Sequence, residues 1–182
     1  QELNDRYNVV RHAGAIYALA TYAEKRPRED VCQALKRQSE FLVSNCLGPV
    51  EGADDVLAIW SNPKLTHSSS GKVAKLGGTG LGLVGLSAVE AVLPNTTEMA
   101  KLQAMARFIV YMQKADGSFY SKCYPAPRGR SDIWTSLYYP GEAALGLVML
   151  YEIDEDENWL YASAKALKFL ADSRKGRNDV EA

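Results

Sequence analysis

What the chain is short of narrows the question first. Its histidines are His12 and His67, its cysteines are Cys32, Cys46 and Cys123, and no pair has CxxC spacing. Zinc sites and thiol redox motifs are read from such spacing. No metal and no cofactor is therefore expected, and the three thiols read as small buried hydrophobes. Charge of one sign is missing too. The 21 Lys and Arg against 22 Asp and Glu leave a formal net charge of −1. That argues against nucleic acid as a partner, which calls for a basic face. No run approaches the roughly 18 apolar residues of a membrane span. No signal peptide stands at the front, and Gln1 fits a cleavage or a domain cut.

Apolar residues, by contrast, are plentiful: 47% of 182, ample for one core. They are organised around Tyr138-Tyr139-Pro140-Gly141-Glu142-Ala143-Ala144-Leu145-Gly146-Leu147-Val148-Met149-Leu150. Pro is tolerated at the first position of a helix, and this helix is apolar nearly all round, so it is buried on every side. The same kind of element opens at Ala13 and at Gly77, each 64 residues before the next. Between these apolar helices lie amphipathic ones. The spacing predicts helices over about 12–25, 28–46, 77–93, 98–114, 140–154 and 159–174. An extended stretch over 5–11 is expected, and so are two β-hairpins. One pairs Val56–Trp60 with Lys72–Leu76 across the serine tract 68–70; the other pairs Phe119–Tyr124 with Ile133–Tyr139 across the loop 125–130. The tail from Lys175 is polar.

The unit of apolar helix, amphipathic helix and β-hairpin thus recurs at a period of about 64. Periods of this size mean stacked or closed arrays of supersecondary units. One helix all apolar and its mate amphipathic favours a closed ring, with the first kind inside and the second outside. The expected fold is all-α with minor β-hairpins: an α/α toroid of three helical hairpins, about half of a six-hairpin ring, in one domain over 1–182.

At this level of pattern the whole chain resembles the α/α-toroid superfamilies, including the six-hairpin glycosidase-like, the sugar 2-epimerase-like and the terpenoid cyclase-like toroids. The resemblance lies in the Gly-rich inner helices, in Gln113-x-x-Asp116-Gly117-Ser118-Phe119, and in Tyr139-Pro140-Gly141-Glu142. The adjacent aspartates of terpenoid cyclases have no match beyond Asp54-Asp55, and the zinc ligands of lanthionine-cyclase toroids have none. Full toroids of this kind have six hairpins. The resemblance therefore implies that the remainder of a longer chain, or a second copy in a homodimer, completes the ring.

In such a ring the inner helices aim their N-termini at one mouth, where helix dipoles add positive charge. Tyr7, Asn8, Arg11, His12, Lys72, Lys75, Thr79, Tyr138, Tyr139 and Glu142 would line it. Glu142 is the leading acid/base candidate, because Gly14 and Gly78 hold the equivalent positions and the fold needs no carboxylate there. Its ordinary role would be a first-turn acid favoured by the helix dipole. An ionised carboxylate is expected, facing Arg11 and Lys75. Asp132 is the candidate second carboxylate of a glycosidase-like pair, and Asp116 a lesser one; both also read as turn or loop charges. His12 is a candidate base or a hydrogen-bonded structural residue. Trp60, Trp134, Tyr138 and Tyr139 are candidate sugar platforms, though aromatics beside strands commonly fill cores. Arg128-Gly129-Arg130 reads as a solvated loop. Two functions fit. One is a hydrolase, lyase or epimerase acting on an acidic or polyhydroxylated sugar, a small molecule or an oligosaccharide. The other is a non-catalytic accessory or interaction domain.

Overall fold

The first helix starts where the sequence supplies an acceptor for its unpaired N–H groups. Asn8 Oδ1 accepts from the amides of Val10 at 3.0 Å and Arg11 at 3.1 Å, and α1 runs Val9–Lys25. An Asn cap of this kind satisfies donors that have no intrahelical partner. The extended stretch expected before residue 12 is thus already helical from Val9. The computed structural model describes residues 7–66 and 71–176; His67, the serine tract 68–70, residues 1–6 and the tail 177–182 lie outside the described residues.

After Pro27, α2 spans Glu29–Cys46 with Glu29 and Asp30 in its first turn, where the dipole favours acids. The chain then forms β1 (Leu47–Pro49), β2 (Leu57–Ile59), a short α3 (Pro63–Thr66), β3 (Ala74–Lys75) and α4 (Leu76–Val92). Next come α5 (Met99–Met112), β4 (Lys122–Tyr124), β5 (Gly129–Ser131), α6 (Tyr139–Asp154) and α7 (Glu157–Arg174). All six long helices fall where the periodicity puts them, give or take a few residues.

The strands pair differently from expectation. β2 pairs with β1, with Leu47 opposite Ile59, and it meets the 72–76 segment only through the Trp60–Ala74 bridge. β3 joins β4 instead, with Ala74 opposite Cys123, so the second and third repeats share a three-stranded sheet. β4 takes Gly129–Ser131 as its partner, with Cys123 opposite Arg130, and not the 133–139 segment. A four-residue turn, Pro125–Arg128, closes that hairpin. The residues read as a loop are therefore the return strand, and 133–139 is the irregular lead into α6.

α4 is the centre of the packing. It buries twelve of 17 residues against seven of 14 on its mate α5, so the apolar helix is the inner one. Leu76, Leu83 and Leu86 are fully buried, each worth about 1.5–3 kcal/mol. α1 flanks α4 on one side and α6 on the other, running in the same direction. Gly85 meets the carbonyl of Ala13, and Gly80 meets the backbone of Ala143. Gly146 lies on the Gly80 carbonyl, as an inner-helix contact should, whereas Gly82 faces Ile59 and Met105 instead. At the two ends the inner–outer contrast nearly vanishes. α1 buries four residues and α6 five, against four each on α2 and α7. Each end helix has an inner neighbour on one side only among the described residues. No helix among them is long and apolar enough to cross a membrane.

Candidate functional site

The lead into α6 repeats the capping device of α1. Ser136 Oγ accepts from the amides of Tyr138 at 3.2 Å and Tyr139 at 3.3 Å, two and three residues on, as Asn8 does. Ser121 Oγ in turn receives the Ser136 N–H at 3.3 Å. Asn8, Lys72 and Ser136 are spaced by the same 64 residues. Lys72, holding only donors, cannot cap, and α4 has no side-chain cap at its N-cap Lys75.

Glu142 projects from the first turn of α6 across the first turn of α4. It lies over Gly77: a Cβ added there would stand 2.2 Å from Glu142 Oε2 and 2.3 Å from Tyr139 Cδ1. Only a glycine leaves room for both side chains. Glu142 Oε2 is buried and has no hydrogen-bond partner. Burial pushes the Glu142 carboxyl up from its usual value. This corrects the expected ionised group facing Arg11 and Lys75: no cation pairs with Glu142 among the described residues, and desolvation disfavours its charged form. Burial, and then the charge of Glu142, raise the Tyr139 hydroxyl as well.

Aromatic groups gather beside it. Trp134 meets Tyr139 edge-on at 5.6 Å between ring centroids, and Lys122 Nζ stands 4.9 Å over the Trp134 ring. Trp134 is 49% exposed and Tyr138 61%, so both face solvent at this mouth. Next to Lys122 opens a cleft of about 580 Å³, lined in part by Lys72, Lys75, Lys122, Arg128, Tyr124 and Thr66. No acidic side chain is among its lining residues. Arg11 is exposed on α1 and does not line this cleft.

The other candidates sit in separate clusters. His12 Nδ1 lies 2.7 Å from the Tyr7 hydroxyl, Cys46 Sγ is 3.6 Å from the same oxygen, and Phe41 packs on both rings. Burial lowers His12, raises Tyr7 and raises Cys46, so all three favour their neutral forms. Asp132 is paired with Lys114, which holds its carboxyl below the usual range. Asp116 accepts from the Ser118 amide and hydroxyl within its turn and is lowered by them.

Trp60 is 4% exposed and donates Nε1–H to the Gly48 carbonyl, so it is core and not a platform. Thr79 is buried and accepts from the Ile59 amide, pinning α4 to β2 instead of lining the mouth. Arg128 stacks on Tyr124 at 3.6 Å, and Arg130 donates to the Tyr111 carbonyl at 2.7 Å, so this segment is not a free loop. Sequence reasoning missed Lys122 and Arg128. Their only signal was a cation beside an aromatic residue at each end of a hairpin.

Comparison with protein-family models and with curated proteins gives no match. Solved structures do match. A cellobiose 2-epimerase from Spirochaeta thermophila aligns with TM-score 0.70 at 13% identity, over 92% of this chain and 44% of its own. A sugar epimerase from a ruminal bacterium aligns at 0.67 and 14%, over 92% and 42%. A glycoside hydrolase family 76 mannosidase from Bacteroides thetaiotaomicron aligns at 0.63 and 14%, over 88% and 42%. The fold is that of the α/α toroids, and the chain spans about two fifths of the length of these structures.

Proposed function

We propose that the mouth formed by the first turns of α4 and α6 binds a saccharide, with Glu142 as its proton-carrying group. The observation that carries this reading is Glu142 Oε2, buried over Gly77 without a partner. An unpaired buried oxygen costs about 1–3 kcal/mol until a donor reaches it. A sugar hydroxyl supplies that donor. With its charged form disfavoured, Glu142 suits a general acid better than the general base expected from sequence. Trp134, Tyr138 and Tyr139 offer apolar ring faces with polar tips, the surface on which sugar C–H faces stack. The sugar-named neighbours on the same fold agree with this reading, although fold alone does not assign chemistry.

Paired-carboxylate hydrolysis needs a second acid about 5–10 Å away, and Asp132 is engaged by Lys114. That pairing favours a second reading, a non-catalytic saccharide-binding module. One experiment addresses both. Neutral and uronic oligosaccharides are titrated by calorimetry into wild type, Trp134→Ala and Glu142→Gln, and the mixtures are analysed for product. Binding that weakens roughly tenfold in Trp134→Ala supports the mouth. Product that disappears in Glu142→Gln assigns catalysis, and binding without product assigns the module. No binding by any saccharide overturns the reading.

A further inference from the structure

We propose that the cleft beside Lys122 is an oxyanion subsite, which takes the carboxylate, sulfate or phosphate group of a saccharide whose ring occupies the mouth. Lys72, Lys75, Lys122 and Arg128 all line it, and none of them pairs with a carboxylate among the described residues. Glu51, which reaches the adjoining turn, accepts the Ala126 amide at 3.2 Å. Four unneutralised cations around one cleft repel one another, in a chain whose net charge is only −1. The fold does not require them. Lys72 stands where the first and third repeats place a capping acceptor, so this repeat gives up a cap and gains a charge.

The cations are also held in place. Lys72 Nζ is 4.6 Å over Trp60, Lys122 Nζ 4.9 Å over Trp134, and Arg128 stacks on Tyr124 at 3.6 Å. Aromatic faces fix a cation while leaving its charge available, which acidic partners would not. The uncapped first turn of α4 begins at Lys75 and adds the positive end of its dipole. At about 580 Å³ the cleft has the size of a small-ligand site. Lys122 belongs to both places, lining the cleft and covering Trp134, so a ligand spanning the two needs no gap in contact.

The saccharide part of this proposal rests on the proposed function of the mouth; the oxyanion part does not. The test is calorimetry at low and high salt on wild type and on the double variant Lys72→Met/Arg128→Met, whose sites lie outside the mouth. The titrants are inorganic sulfate, a uronic oligosaccharide, a sulfated oligosaccharide, a sugar phosphate and a neutral oligosaccharide. Circular dichroism and the thermal midpoint verify that the variant is folded.

The expected result is that the charged saccharides bind more tightly than the neutral one and lose affinity as salt rises. In the double variant they lose roughly tenfold or more, while the neutral one is unchanged. The charged arm that binds tightest identifies the group. Sulfate binding with no saccharide binding keeps the oxyanion site and removes the sugar. Neutral and charged saccharides binding alike in both proteins overturns the subsite and leaves the mouth standing. No binding by any titrant overturns both.

Discussion

Gly80→Ala perturbs the crossing on which the mouth depends. The added Cβ would stand 2.8 Å from Ala143 N, 2.9 Å from Glu142 C and 3.0 Å from Ala143 Cα. All three are backbone atoms of a packed helix, so no side chain can swing away. Reaching an ordinary contact of 3.4 Å requires α6 to recede by roughly half an ångström, in an interior that deforms reluctantly. Overpacking of this kind costs about 1–3 kcal/mol, and alanine's better helix propensity offsets up to about 1 kcal/mol. A net loss of about 1–2 kcal/mol is expected. Gly14→Ala is the control. It lies within α1, and its added Cβ meets nothing within 4 Å, so only the propensity gain of about 0.5–1 kcal/mol remains. The same chemical change should therefore move urea midpoints in opposite directions, with unchanged slopes, and the two variants should end up about 1 M or more apart. A Gly80→Ala midpoint equal to or above that of Gly14→Ala would refute the close crossing, and with it the placement of Glu142 over α4.

Three further outcomes are expected. Glu142 has a folded-state value raised by burial, so the folded state holds its proton more tightly and stability falls as pH rises through the window above the usual 4.5. Glu142→Gln should then be more stable than wild type near neutrality, with the gap closing in acid, as read by thermal melts across pH. His12 is lowered from its usual 6.5, so the unfolded chain takes the proton first, and stability should drop as pH falls below 6.5; His12→Gln should flatten that slope. Asn8→Ala and Ser136→Ala should each cost about 0.5–2 kcal/mol in thermal unfolding through a lost cap. Lys72→Ala, at the same place in the middle repeat, should not show that loss.

The fold was legible because its signal is long-range and repeated. An apolar helix recurring every 64 residues leaves little freedom over which helices lie inside, and α4 lies there. Strand pairing was less legible. β3 and β4 are two and three residues long, and nothing in so short a run says which neighbour it joins. Arg128 and Gly129 were read as loop because charge and glycine mark turns, yet Arg128 closes the turn on Tyr124 and Gly129 begins β5. The ionisation of Glu142 was misjudged for a related reason. Sequence placed cations at the same end of the ring, but only coordinates put its carboxyl against Gly77 and Tyr139 and away from any partner. The cap equivalence of Asn8 and Ser136 was open to inspection, since both carry acceptors at one repeat position. Lys72 between them is the exception that points to the basic cleft.

The state of the Glu142 carboxyl in the free protein and with a saccharide present is the most direct test of the account. Carboxyl-detected NMR on protein labelled at glutamate, with Glu142→Gln supplying the assignment, measures both. The account predicts a titration above the usual 4.5 in the free protein. On adding saccharide, the Glu142 carboxyl and the Trp134 indole resonances should then shift together. A carboxyl that titrates at or below 4.5, with both resonances unmoved by every saccharide tried, would contradict it.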